Sequence, residues 1–429
     1  MIRENRRVRW TRQRFPKPRG VVDPTGSLGT ISRVVDRAYF RSLTVLLMLL
    51  ALGMLVSATV IGLVSLWPSG SLHVDKSLLG VQKTEPARVT GITTVQCHGA
   101  GRPVCETVTF RITGGKDKGK SGSFAADQTS AGASFALRDT IRVYKTPGPA
   151  VRLGGQSADQ YVFSDFERHT PLYLLAGVFC ALALLVGRLR GLRAIAGLTV
   201  SFVVVFKFVL PAVLDGRSAV GVALVGALTV MLVTIPLVHG LGPKALAATL
   251  GTALSLLVTA LLASLFSRLA HLTGNATDTT TFLHAAARTI SLRGLLLAGM
   301  VIGALGVLND STVSQASTVM ALRRANPTLG IGRLLREALD VGQDHVAATI
   351  NTLVLAYVGA SLPILIIFSL GSTPFTNAIN QEGVAEEIVA TLVGSIGLIL
   401  AVPITTLLAA LLAIRLPTRA LPARLAHEH

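Results

Sequence analysis

Apolar stretches long enough to cross a bilayer recur along this chain, and no other feature restricts its fold so strongly. A helix needs about 20 mostly apolar residues to span a hydrocarbon layer, where every backbone N–H and C=O must be satisfied within the segment. Such runs lie at 43–67, 171–187, 194–213, 218–238, 245–267, 294–322, 346–370 and 387–413. Apolar residues make up 51% of the chain and charged residues only 14%, which excludes an ordinary soluble enzyme. Eight transmembrane helices are expected, the two beside Arg188–Arg193 being close enough to form one hairpin.

Orientation follows from the placement of Lys and Arg in short loops, since basic loops stay in the cytoplasm. With the N-terminus inside, the basic tail from Arg3 to Arg41, then Arg188, Arg190 and Arg193, Lys244, Arg323 and Arg324, Arg333 and Arg336, and Arg415, Arg419 and Arg424 share the cytoplasmic side. Opposite them lie Asp215, Arg217, Arg268, Arg288, Glu382 and Glu386. Both termini are expected inside, at a bacterial cytoplasmic (inner) membrane. The net charge of +18 comes largely from this asymmetry and suits anionic headgroups. Without interleaved aromatics it does not point to nucleic acid.

The first run begins only at residue 43 and ends in Trp67-Pro68-Ser69-Gly70, with no small-x-small cleavage pattern, so it reads as a retained anchor. Residues 1–42 are expected to be a disordered basic cytoplasmic tail, 43–67 the anchor, 71–165 an extracytoplasmic β-domain, 171–413 a helical bundle and 415–429 a second cytoplasmic tail. In the β-domain Val108, Phe110 and Ile112 alternate with Thr109 and Arg111, and Ile141 and Val143 flank Arg142, the period of a half-buried strand. Its length suits a small all-β barrel, OB-like as first choice. Gly114 to Ser121 formally matches a phosphate-cradling P-loop, but the residues after it make a poor helix start, so a lysine-rich hairpin turn is expected.

The helices carry the polar chemistry. On 294–322, Gly299, Gly303, Gly306, Asp310, Ser314 and Ser317 recur at helical steps and form one stripe, with Asn309 beside it. A carboxylate there costs about 2.5–3.5 kcal/mol on insertion scales and defaults to a functional site. Two readings fit: Asp310 and Asn309 as a proton site, or as hydrogen-bonding groups that fix helix packing. A second stripe runs through Asp344, His345, Asn351 and Thr352, where Asp344 and His345 are either a cation site or a solvated helix start. A third face carries Glu387, Thr391 and Thr405 near Pro403, either a pathway or a structural kink. Lys207 is a counter-charge to Asp310 or snorkels to the outer interface.

The strings Gly306-Val-Leu-Asn-Asp-Ser-Thr-Val313, Gly342-Gln-Asp-His-Val-Ala-Ala-Thr-Ile-Asn-Thr-Leu-Val-Leu-Ala356 and Gly394-Ser-Ile-Gly-Leu-Ile-Leu-Ala-Val-Pro-Ile-Thr-Thr406 closely resemble the YibE/F-like family of bacterial multi-pass membrane proteins, from the exported domain through the last helix. That resemblance implies architecture more than activity. The Gly306–Val313 run with the helix that follows also looks like a helix pair of SecF in the proton-driven RND superfamily. It implies proton coupling at Asn309 and Asp310, although Gln315 to Arg324 replaces the Phe-Asp-Arg-Ile-Arg continuation.

The expected fold is an α-helical polytopic membrane protein with a small all-β extracytoplasmic domain, and the expected function is permease-like transport of an ion or small solute. The alternative is a non-transporting assembly or secretion-associated scaffold whose β-domain binds a partner. No hydrolytic triad, redox centre or nucleotide site points to an enzyme, and no cofactor is expected. The bilayer is the expected partner, with a homo-oligomer or a partner membrane protein both open. Cys97 and Cys105, flanking a hairpin loop on the oxidising side, are either disulfide-bonded or free. The bonded form predicts that reducing protein purified under oxidising conditions raises its mass by one hydrogen pair, a shift absent from Cys97→Ser.

Overall fold

The computed structural model describes residues 43–70, 83–95, 105–125, 134–145, 151–153, 156–158, 161–276, 280, 283, 290–371 and 374–416. The 1–42 tail, Cys97 and residues 417–429 of the second tail lie outside these, and Cys105 is described by its backbone alone. The membrane-length anchor α1 is Leu43–Ser65. Among the described residues seven strands follow: β1 Glu85–Val95, β2 Cys105–Ile112, β3 Ser121–Ala125, β4 Thr140–Lys145, β5 Val151–Leu153, β6 Gln156–Ala158 and β7 Tyr161–Phe166.

Five of the strands form one antiparallel sheet in the order β3-β2-β1-β4-β7, with β5 and β6 a separate pair. Val108, Phe110, Ile112, Ile141 and Val143 all turn inward, as their alternation predicts. The sheet curls because aromatic rings bridge its edges: Phe124 of β3 lies 5.5 Å from Phe163 of β7, and Tyr161 meets Phe110 edge-on at 6.0 Å. The Tyr161 hydroxyl donates to Asp117 Oδ2 at 2.9 Å. Hydrogen bonds from Lys120 and then Tyr161 hold the Asp117 carboxyl below its usual range. The P-loop-like string folds as a hairpin turn. The Glu85 carboxylate accepts the Lys116 and Asp117 amides at 2.9 and 3.2 Å, and a strand follows the turn where a nucleotide site needs a helix.

The remaining helices are α2 His169–Val204, continued by a π-turn Val205–Val209 and α3 Leu210–Leu214, then α4 Ala219–His239, α5 Pro243–Leu269, α6 Leu292–Ala325, α7 Ile331–Leu370, the short α8 Phe375–Ala378, and α9 Glu382–Arg415. Among the described residues seven helices are long and apolar enough to cross a membrane, one fewer than the eight runs expected. The difference lies at Arg188. The runs 171–187 and 194–213 belong to one element, His169–Leu214, which breaks at Arg188 with φ 49° and ψ −128°. In a straight helix Ala183 and Gly191 would stand about 12 Å apart. Here the Ala183 carbonyl presses on Gly191 so closely that a Cβ has no room, so the chain bends back on itself between two arms.

α6 sits at the centre of the bundle, against α4, α5, α7 and α9. α5 and α9 cross in intimate contact because each carries small residues every fourth position: Gly251, Ser255 and Thr259 on one, Gly397, Ala401 and Thr405 on the other. Gly251 meets Thr405 and Gly397 meets Thr259, leaving no space for a Cβ at either glycine. Two carboxylates pin loops to the bundle. Asp215 accepts the Gly70 amide at 3.0 Å and the Ser69 hydroxyl at 3.1 Å, and Glu382 accepts the Thr273 hydroxyl at 2.7 Å. Desolvation opposes the Asp215 charge, but the Gly70 and Ser69 donors outweigh it and hold its carboxyl below the usual value. The seam predicts that Gly397→Leu costs about 1–3 kcal/mol by overpacking, while Gly394→Ala, one turn away with open space around it, is neutral or slightly stabilising. Thermal unfolding in detergent distinguishes the two.

Candidate functional site

The stripe read on 294–322 exists, and it lies on the side of α6 that packing leaves open. Gly299, Gly303, Gly306, Asp310 and Ser314 are exposed and Ser317 is half-buried, whereas Leu308, Ser311, Thr312, Gln315, Ala316 and Val319 are buried on the other side. At about 100° per residue, Asp310 points away from α5 and α9 and lies between two flanking features.

One flank is α7. Ser311 Oγ stands 3.5 Å from His345 Nε2, and the Tyr357 hydroxyl lies over Gly303. Asp344, Asn351 and Thr352 are exposed on α7, so only His345 of the second stripe turns toward α6. The other flank is a half-open cavity of about 430 Å³ bordered by the second arm of α2, α4 and the Ile302, Leu305, Gly306 and Asn309 side of α6. His239 lines it and lies within electrostatic reach of both Asp310 and Lys244.

Lys207 sits on the π-turn with its side chain exposed, and no ion pair joins it to Asp310 among the described residues. The third face has a different character from an open path. Thr391 and Thr405 are both buried, Thr405 against Gly251 in the α5–α9 seam and Thr391 donating to the Glu387 carbonyl at 2.6 Å. α9 continues helical through Pro403 while Thr406 donates to the Val402 carbonyl at 2.6 Å. Glu387 lies at the seam's end, where it lines a second cavity of about 270 Å³ with Glu386, Tyr357 and Gly299. Among the described residues no group of three or more His, Cys, Asp or Glu side chains is placed to hold a metal, so Asp344 and His345 gain no third ligand.

Sequence reasoning missed the residue with the most consequential polar contacts. Gln315 is 4% exposed, and its Nε2 donates to the Ala338 carbonyl of α7 and to Thr406 Oγ1 of α9, both at 2.7 Å. Gly342 makes room for it, since a Cβ there would stand 2.9 Å from Gln315 Oε1. Thr252 and Thr312 add a bond between α5 and α6 at 2.5 Å. A signal was present: Gln315 follows Asp310 by five residues, on the opposite face of an otherwise apolar and hydroxyl-bearing segment.

A family profile described as YibE/F-like protein matches residues 175–415, more than half of the chain, from the first arm of α2 to the end of α9. The chain belongs to the YibE/F-like family. The family match holds the whole Asp310 face and the Gln315 bridge, and it starts after the β-domain, so it covers less of the chain than the sequence resemblance did. No curated protein and no solved structure matches the chain. In this YibE/F-like protein the two faces of α6 separate by role. Gln315→Leu removes the side-chain donor that joins the Ala338 carbonyl and the Thr406 hydroxyl to α6 and should cost about 1–3 kcal/mol, whereas the exposed Asp310→Asn should shift stability by no more than about 0.5 kcal/mol. Melting curves of the detergent-solubilised variants provide the comparison.

Proposed function

We propose that this is a permease-like protein of the bacterial cytoplasmic membrane that couples protonation of Asp310 to the movement of an ion or small solute. The observation that carries the reading is the position of Asp310: within a membrane-length helix, on the uncovered face of the central helix, between a cavity and α7, and with no ion pair among the described residues. A carboxylate within an apolar membrane span marks a functional site by default, and a carboxyl can take up and release a proton. Asn309 and Ser314 stand beside it on α6, and His345 of α7 comes up to the neighbouring Ser311. No step in this reading requires an enzyme's chemistry or a cofactor.

Orientation belongs to the same proposal. With the bend at Arg188 counted as a reversal, the chain crosses eight times, both termini are cytoplasmic and the β-domain is outside. The strand order supports the OB-like reading: β1 pairs with both β2 and β4, and the outer strands β3 and β7 approach each other. A second reading, a non-transporting scaffold whose β-domain binds a partner, is favoured by that domain's own folded core, which lies outside the family match.

Reconstitution in liposomes with an internal pH dye tests the first reading. Wild type should carry protons under an imposed pH gradient in response to one class of cation or small solute. Asp310→Asn, folded by its melting curve, should lose at least about tenfold of that flux, the size expected for removal of a titrating group. Equal flux in the Asn variant, or none from folded wild type, leaves the scaffold as the standing reading.

A further inference from the structure

The cavity beside α6 is a groove with two unlike ends. The second arm of α2 and α4 line it in opposite directions, from Ala194 and His239 at one end to Val209 and Gly226 at the other. At 1.5 Å per residue those stretches make it about 20 Å long. The Val209 end is aliphatic, and the polar side chains gather toward His239. Ser201 spends its hydroxyl on the Gly197 carbonyl at 3.0 Å, and the Asn309 Oδ1 is enclosed by protein, so neither offers the groove a contact. Thr234 and His239 do face it, and no hydrogen bond engages either side chain among the described residues.

Beyond His239 the polar end continues as a basic rim. Lys244, half-buried in the first turn of α5, lies within electrostatic reach of His239 and of the exposed Arg190, just after the bend in α2. Among the described residues no ion pair reaches Lys244 or Arg190. Asp310 is the acid in reach of His239, which leaves the Lys244 and Arg190 charges facing each other uncompensated. Gly242 caps α5 without a side chain, so the positive end of the helix dipole adds to the same field. A rim of like charges over a long aliphatic groove is complementary to one kind of molecule, an anion that carries a hydrocarbon chain.

We propose that the groove holds one acyl chain of an anionic phospholipid whose phosphate lies between Lys244 and Arg190. His239 donates to the phosphate, and Thr234, deeper in the groove, donates to the ester carbonyl below it. The aliphatic length of the groove selects a lipid-borne phosphate over a free one. The site requires only a bilayer around α2 and α4, and it does not depend on proton coupling at Asp310.

Photolabelling of the full chain in phosphatidylcholine nanodiscs tests it. The probe is a trace of phosphatidylglycerol with a diazirine in one acyl chain, the control is phosphatidylcholine carrying the same chain, and adducts are mapped by mass spectrometry. The anionic probe should label the groove walls at least about fivefold more than the control, because each Lys or Arg beside an anionic headgroup contributes about 1 kcal/mol. Lys244→Gln should remove about fivefold of the anionic labelling and leave the control unchanged, and Lys244→Arg should preserve both. Arg336→Gln, which removes an exposed cation on α7, should change nothing. Gly306→Leu should lower labelling of the groove by both lipids, since a Cβ there enters open space beside the groove and meets no atom within 4 Å. Asp310→Asn should not lower the anionic labelling, which keeps this site separable from the transport reading. Excess glycerol phosphate should not compete, and competition would make a soluble phosphate the occupant and overturn the lipid. Equal labelling by the two lipids, adducts spread evenly over the lipid-facing helices, or an equal loss in Arg336→Gln and Lys244→Gln would each overturn the site as well.

Discussion

Polar side chains inside an apolar bundle have to satisfy one another, and here the group that does so is built around Gln315. From the middle of α6 it reaches the Ala338 carbonyl of α7 and the Thr406 hydroxyl of α9, while Thr312 meets Thr252 of α5. These bonds tie the central helix to three neighbours at one level. They are compatible only with backbones that come very close, which is why glycine occupies Gly251, Gly397 and Gly342 where a Cβ would collide with Thr405, Thr259 and Gln315. In a bilayer the lipid tails give no hydrophobic reward for helix contact, so close packing and interhelical hydrogen bonds carry the association.

Once that side of α6 is committed to structure, the opposite side is free to hold groups that structure does not need. Gly299, Gly303, Gly306 and Asp310 occupy it and are exposed. Asn309 lies at the boundary, with its backbone carbonyl accepting from Thr312 at 3.2 Å and its side-chain oxygen unmet. The two faces of α6 therefore differ in packing, one buried among its neighbours and the other largely open.

Much of this was legible in the residues. The apolar runs located the helices because length and hydropathy alone decide what crosses a bilayer. The two-residue alternation around Phe110 and Ile141 located the buried side of the sheet, and the missing helix after Ser121 disposed of the P-loop match. The reading fell short where tertiary partners decide the meaning of a pattern. The Glu387, Thr391 and Thr405 spacing reads equally as a pathway or a structural kink, and only the tertiary contacts show Thr405 packed tightly against Gly251 of α5 while Glu387 lines a cavity. Arg188 reads as part of a loop between separate helices, yet helical structure resumes directly after a single residue with positive φ.

The sequence by itself determined that this chain builds a membrane-length helical bundle with a small β-domain, that small residues line one face of several helices, and that Asp310 lies within an apolar span. Those follow from period, length and residue chemistry, which are local. Only the tertiary structure decided which face of α6 is buried, that Gln315 holds the bundle together, that Lys207 and Asp310 form no ion pair, and that Asn309 borders a cavity. Each depends on which helix lies opposite, and helix neighbours are chosen by close packing between segments tens of residues apart, information that no local window contains.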